Sequence, residues 1–167
     1  MNNKYGFTGE TLEWNGRTLK RIRALVAIGL SVAAGDVGGW IESESNLQVS
    51  GNAWVSGDAR VYGNARVYGN AWVSGNAQVY GNAWVYGDAW VSEKTLCSFA
   101  GFGSANRQTT AYHDKDGGIL VACGCFFGSL EEFRDQIKRH HGEDSTHGKL
   151  YLGMANMIEY RLTEGAK

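Results

Sequence analysis

The sequence predicts a mainly β protein. A short three-sided parallel β-solenoid stands at its centre, with an N-terminal hairpin cap before it and a small α+β domain after it. Three observations carry this reading. From Gly51 the chain runs GNAWVS, GDARVY, GNARVY, GNAWVS, GNAQVY, GNAWVY, GDAWVS, seven hexads without an insertion. The residues flanking each valine recur at a spacing of 18: Trp54, Trp72 and Trp90, then Tyr62 with Tyr80, and Tyr68 with Tyr86. Of the 167 residues, 24 are Gly and none is Pro, which excludes collagen and Pro-rich linkers.

The hexad explains itself locally. In Ala-x-Val the Ala and Val side chains point one way and x the other. The Gly-Asn or Gly-Asp that follows is turn chemistry. Each hexad is thus a very short strand plus a corner, and stacked coils bury an apolar side that no single strand could. A superperiod of 18 makes three hexads per coil and piles like side chains in columns at about 4.8 Å. A weaker eighth hexad, Asn46-Leu47-Gln48-Val49, is expected to place Val49 in the valine column.

The flanks divide the chain into 1–43, 44–92 and 93–167. In the first segment Asn15-Gly16 lies between two alternating runs, the strongest short hairpin signal. Lys20, Arg21 and Arg23 form a small basic patch, read as a solvated strand edge with anion contact as the alternative. Val32–Ile41 is expected to be an irregular first coil. In the last segment Thr95–Phe99, Gln108–His113 and Ile119–Phe127 read as strands. Ser129-Leu-Glu-Glu132 is a capping box, and Leu130, Phe133 and Ile137 share the face of the helix it opens. Gly142 stops that helix, and a second is expected over 147–162 with Leu150, Met154, Ile158 and Leu162 on one stripe.

The order Val-x-Gly-Asn-Ala-x, over Ser45–Ser92, resembles the hexapeptide repeat of left-handed parallel β-helices, known from acyltransferases and γ-class carbonic anhydrases. The resemblance implies left-handed coils of three hexads each. The whole layout also resembles a group of small phage and prophage proteins. They share the front hairpin, the segment seen here as Gly35–Ser43, the Gly-Asn-Ala-x-Val repeats of Gly51–Ser92, and the tail motif of Gly124–Phe133. No activity comes with that resemblance. It implies a mobile-element origin and a place in the host cell cytoplasm.

Function is less legible. The 16 Lys and Arg against 17 Asp and Glu exclude a generally basic nucleic-acid coat, so no duplex nucleic acid is expected as partner. No segment reads as a signal peptide or membrane span, and three cysteines, an odd number, are no disulfide framework; a soluble, cytoplasmic protein is expected. A hexapeptide-repeat acyltransferase needs a general base, ordinarily a His, yet the first His of the chain is His113. A carbonic anhydrase needs three His on zinc, and the repeat has none. The expectation is therefore a non-catalytic binding protein with no cofactor, an oligomeric scaffold, favoured as a trimer, that takes a host nucleotide signal or a host protein in counter-defence. An acyltransferase and a structural virion component are the alternatives.

The candidate ligand site runs from Gly101 to His113. Gly101 and Gly103 allow amides to converge on an anion, Arg107 can grip a phosphate, Thr109 and Thr110 offer hydroxyls, and Tyr112 can stack on a base. An ordinary loop and strand is the competing reading. Trp54, Trp72 and Trp90 form an outward apolar column expected to be the oligomer seam. Metal is not expected. The weak alternative set is Cys123 and Cys125, alternating on one face of a strand, with His141 and His147; His140 and His141 equally suit the last turn of a helix.

Overall fold

A computed structural model describes residues 2–102 and 107–164. Two compact units divide the chain, Met1–Glu93 and Lys94–Lys167.

The first unit opens with the hairpin of β1 (Tyr5–Trp14) and β2 (Arg17–Ala24), with Trp14 opposite Arg17 and both Asn15 and Gly16 left-handed. Strand β3 (Val37–Ile41) joins two architectures. It runs antiparallel to β2 on one side and parallel to β5 on the other, so the hairpin continues one wall of the solenoid. The hexads supply seven short strands, β4 (Trp54–Val55), β5 (Arg60–Val61), β6 (Arg66–Val67), β7 (Trp72–Val73), β8 (Gln78–Val79), β9 (Trp84–Val85) and β10 (Trp90–Val91). They stack in parallel as β3-β5-β8, β4-β7-β10 and β6-β9.

From Trp54 onward each strand pairs with its counterpart three hexads on: Trp54 with Trp72, Arg60 with Gln78, Arg66 with Trp84. The Ala and Val of the seven hexads are all 2% exposed or less and form the interior. Outside, Tyr62 stacks on Tyr80 at 5.5 Å and Tyr68 on Tyr86 at 4.6 Å. At one corner Asn52 donates to Asn70 and Asn70 to Asp88, at 3.3 and 3.0 Å. The corner glycines lie directly above one another. A Cβ on Gly51 (φ +77°) would come 2.5 Å from the Gly69 carbonyl oxygen, so neither the conformation nor the space admits a side chain.

The first circuit departs from the expected register. Trp40 pairs with Arg60, Ile41 with Val61 and Leu47 with Val67, each pair separated by three hexads and two further positions. Two extra residues therefore lie between Leu47 and Trp54. Leu47, fully buried, takes the inward place expected for Val49, and Val49 is 37% exposed. The cause is Asn46, at the end of a 3-10 turn over Glu44–Asn46. Its side chain is buried and bonded to solenoid backbone, which sets the inward position two residues early.

Cap and coils are tied by charge and by rings. Arg17 pairs with Glu42 at 2.8 Å, and the same carboxylate accepts the Gly63 amide at 2.7 Å. The Gly63 amide, with Arg17, holds the Glu42 carboxyl below the usual carboxylate range. The Arg60 guanidinium lies 4.2 Å from the Trp14 ring centre, and that of Arg21 4.9 Å from Trp40. In the expected basic patch, Arg21 thus stacks and also meets Asp58 at 3.4 Å, and Lys20 sits over Phe7.

The second unit is a four-stranded antiparallel sheet, β11 (Leu96–Phe102), β12 (Arg107–His113), β13 (Ile119–Cys123) and β14 (Phe126–Ser129), followed by α1 (Leu130–His141) and α2 (Thr146–Thr163). Ala111, Val121, Phe133, Ile137, Met154 and Ile158 are among its core residues. The capping box is present: Glu132 N–H donates to Ser129 Oγ at 3.2 Å, and Ser129 N–H to the Glu132 carboxylate at 2.8 Å. Two expectations are corrected. The strand read over Ile119–Phe127 is two strands, because Gly124 (φ +61°) reverses the chain and pairs Cys123 with Phe126. On α2, Leu150 is 45% exposed and Tyr151 is buried, since the stripe through Met154 and Ile158 continues to position 151. No helix among the described residues is long and apolar enough to cross a membrane.

Candidate functional site

The predicted loop site does not assemble as a cradle. Gly103 lies outside the described residues. Gly101 and Arg107 are exposed, but Thr109 and Thr110 are 1% exposed and Tyr112 fully buried. Strand alternation sends Thr109 and Thr110 to opposite faces of β12, so their hydroxyls do not converge. Thr109 donates instead to Cys123 Sγ at 3.0 Å. Buried Tyr112 has no open face for a ligand base. The two ring nitrogens of His113 face the Gly117 and Leu162 carbonyls at 3.1 and 3.0 Å, the second a carbonyl of the last turn of α2. These residues build the sheet.

Nor does the alternative metal set converge. Cys123 ends β13 and Cys125 is in the turn, so they do not alternate along one strand as expected. Cys123, Cys125, His140 and His141 do line one cavity of about 360 Å³, and the His147 ring lies 6.0 Å from that of His141. Even so, no group of three or more His, Cys, Asp or Glu among the described residues has the spacing a metal ion needs.

The tryptophan column is divided. Trp54 is 1% exposed, its ring against Gly38, so it belongs to the interior of the Met1–Glu93 unit and not to an outward column. Trp72 is half-buried and Trp90 is 56% exposed, and these two are what the face presents.

The better candidate is a groove of about 440 Å³ on the β6-β9 wall of the solenoid. Its floor is Leu47 and Val67; Arg66, Tyr68 and Trp84 form the wall, with Glu44, Gln48 and Val49 on the irregular segment at its rim. Arg66 and Trp84 are register neighbours in adjacent coils, so their outward side chains lie side by side. Trp84 is 44% exposed, and Tyr68 meets it edge-on at 6.5 Å. Arg66 is exposed and makes no ion pair with a carboxylate among the described residues. A planar cation donor beside an open indole can hold a flat ring and an anionic group together.

The rim is fixed from below by the start of β1. Tyr5 Oη donates to the Leu47 carbonyl at 2.9 Å, and Lys4 Nζ to the Gln48 carbonyl at 3.0 Å. Burial pushes the Lys4 ammonium down from 10.5 to about 8, and burial, with the Glu44 charge, pushes the Tyr5 hydroxyl up to about 12. Between pH 8 and 10 the unfolded chain therefore binds more protons at Lys4 than the folded one, and stability rises with pH. Above pH 10 the folded chain keeps the Tyr5 proton that the unfolded one loses, which opposes the rise. Denaturation followed by tryptophan fluorescence is expected to show this rise from pH 8 to 10 in the wild type and its loss in Lys4→Met.

Sequence reasoning missed the groove because its rim comes from the one hexad that breaks the pattern. The signal was there: Asn46-Leu47-Gln48-Val49 has no Ala two places before its Val.

Residues 59–75 and 77–93 each match the family model described as YdcK Beta solenoid repeat. No curated protein matches the chain. With the parallel strand stacks, this match makes the chain a β-solenoid repeat protein over those coils.

Proposed function

We propose that the protein is a non-catalytic binding protein whose solenoid groove takes a nucleotide-type ligand, with the base against Trp84 and a phosphate on Arg66. The observation that supports this most is the pairing of an exposed guanidinium, without a carboxylate partner among the described residues, with an open indole beside it. Base stacking contributes roughly 1–3 kcal/mol, and a charge-assisted bond to phosphate a similar amount. In the phage setting that the sequence resemblance implies, such a ligand is a host nucleotide signal and the protein a sink for it in the host cytoplasm.

The finer architecture belongs to the same reading: a left-handed parallel β-helix of three hexads per coil, after a first circuit that is longer by two residues. Its support is the pairing register and the hexad order. Three copies packed side by side through Trp72 and Trp90 complete it, on the support of the 56% exposure of Trp90.

Calorimetric titration with AMP, cyclic AMP and ADP-ribose tests the ligand. At least one is expected to bind, and Arg66→Gln and Trp84→Ala are each expected to weaken it about tenfold or more. Both side chains are exposed, so neither variant threatens the fold. Binding by none of the three, or binding that both variants retain, overturns the reading; a host protein retained in the absence of nucleotide binding makes the surface a protein interface instead.

A further inference from the structure

The turn of the second unit carries chemistry that the solenoid reading does not use. We propose that Cys123 and Cys125 are a dithiol pair that a low-molecular-weight disulfide, such as oxidised glutathione, closes reversibly into a disulfide within the β13–β14 turn.

The placement comes from the hairpin itself. Cys123 is the last residue of β13 and pairs with Phe126, the first of β14, so Cys125 is the third residue of a four-residue turn. Two residues apart, their Cα atoms span at most about 7 Å in extended chain. The reversal at Gly124 (φ +61°) draws them closer than that limit, toward the roughly 4.4–6.8 Å that a disulfide needs. Both residues line the same cavity of about 360 Å³, with His141 and Tyr151. Cys125 is exposed and Cys123 half-buried, so one thiol is open to an external disulfide and the other is partly shielded from it. The third thiol, Cys97, is packed against the core, where burial pushes it up to about 11. It does not compete. The Arg107 side chain lies across Gly124 and puts a fixed positive charge beside the turn, which favours an anionic disulfide as co-reactant.

The exchange balances in two steps. The Cys125 thiolate attacks one sulfur of the external disulfide, that S–S bond breaks, and one small thiolate leaves. The Cys123 thiolate then attacks the Cys125 sulfur of the mixed disulfide and expels the second. Two cysteine thiols are oxidised, the external disulfide is reduced to two thiols, and the two cysteine protons pass to the leaving thiolates. A disulfide closing so small a ring is strained, and strained, exposed disulfides are the readily reduced ones. Forming it also takes Cys123 Sγ away from the Thr109 hydroxyl, which now bonds it at 3.0 Å.

The full chain is incubated with oxidised glutathione and read by intact mass and thiol titration. The wild type is expected to lose two hydrogens, to fall from three titratable thiols to one, and to recover all three in dithiothreitol. Cys97→Ser is expected to form the same bond. Cys123→Ser, which cannot resolve the mixed disulfide, is expected to keep one glutathione on residue 125. Three thiols retained in the wild type, a stable glutathione adduct without the turn disulfide, or a mapped bond that includes Cys97 overturns the proposal.

Discussion

Trp54→Ala is expected to destabilise the Met1–Glu93 unit by about 3–5 kcal/mol, the cost of deleting a fully enclosed indole and leaving its cavity. The ring is 1% exposed, at the junction where the hairpin cap becomes the first coil. A Cβ on Gly38 would come 2.7 Å from its Cζ2 and 2.6 Å from Ile22 Cγ1, so β3 lies against this ring with no room for a side chain. Removing the indole leaves β3 bridging an empty space while it still has to pair with β2 and β5. All six tryptophans are in this unit, so urea unfolding followed by their fluorescence reports on it alone. Trp90→Ala is the contrast. At 56% exposure it is expected to change protomer stability by less than about 0.5 kcal/mol, and in the trimer reading to shift the sedimentation of the assembly. Equal stability of Trp54→Ala and wild type would refute the packing described for β3.

The second large effect is at Asn46. Its side chain is fully buried and serves three backbone groups. Nδ2 donates to the Gly63 and Ala65 carbonyls at 3.0 and 2.9 Å, and Oδ1 accepts the Ser43 amide at 2.9 Å. Asn46→Asp keeps the shape and removes both donors, so a carboxylate faces two carbonyl oxygens away from water. Each unmet buried group costs about 1–3 kcal/mol, and a loss of about 3 kcal/mol or more is expected. Asn46→Ala, which loses the bonds without adding charge, is expected to fall between. The distinguishing measurement is the pH series: Asn46→Asp is expected to regain stability as acid protonates the carboxyl, and Asn46→Ala is not. A flat pH response of the Asp variant would show that the side chain is not enclosed as described. The Glu44–Gln48 rim of the groove rests on this residue, so ligand affinity is expected to fall with both variants.

How far the sequence could be read follows from where the deciding forces act. The Ala and Val of seven hexads were legible as interior because the same six-residue answer is repeated, and a coil contacts only its neighbours above and below. The Tyr62–Tyr80 and Tyr68–Tyr86 stacks followed from the same spacing. The hairpin at Asn15-Gly16 and the Ser129–Glu132 capping box were legible because each is closed by residues within a few positions of one another. The candidate site was read less well. Thr109, Thr110 and Tyr112 have the right functional groups for a phosphate and a base, but a strand that forms part of a packed sheet spends them on burial. The turn at Gly124 was hidden because Ile119–Phe127 is uniformly apolar, and periodicity does not mark a reversal inside such a run.

Alone, the amino-acid order determined the repeating strand-and-corner unit, which residues of it face inward, and the helix stops and starts of the tail. All of these depend on neighbours a few residues away. Only the tertiary structure decided that Trp54 is enclosed while Trp90 is open, that Leu47 displaces Val49 from the inward column, and that Arg66 and Trp84 share a groove. Those outcomes depend on which surface of a distant segment closes over a side chain, and on two extra residues in one circuit, and neither has a local periodicity to announce it.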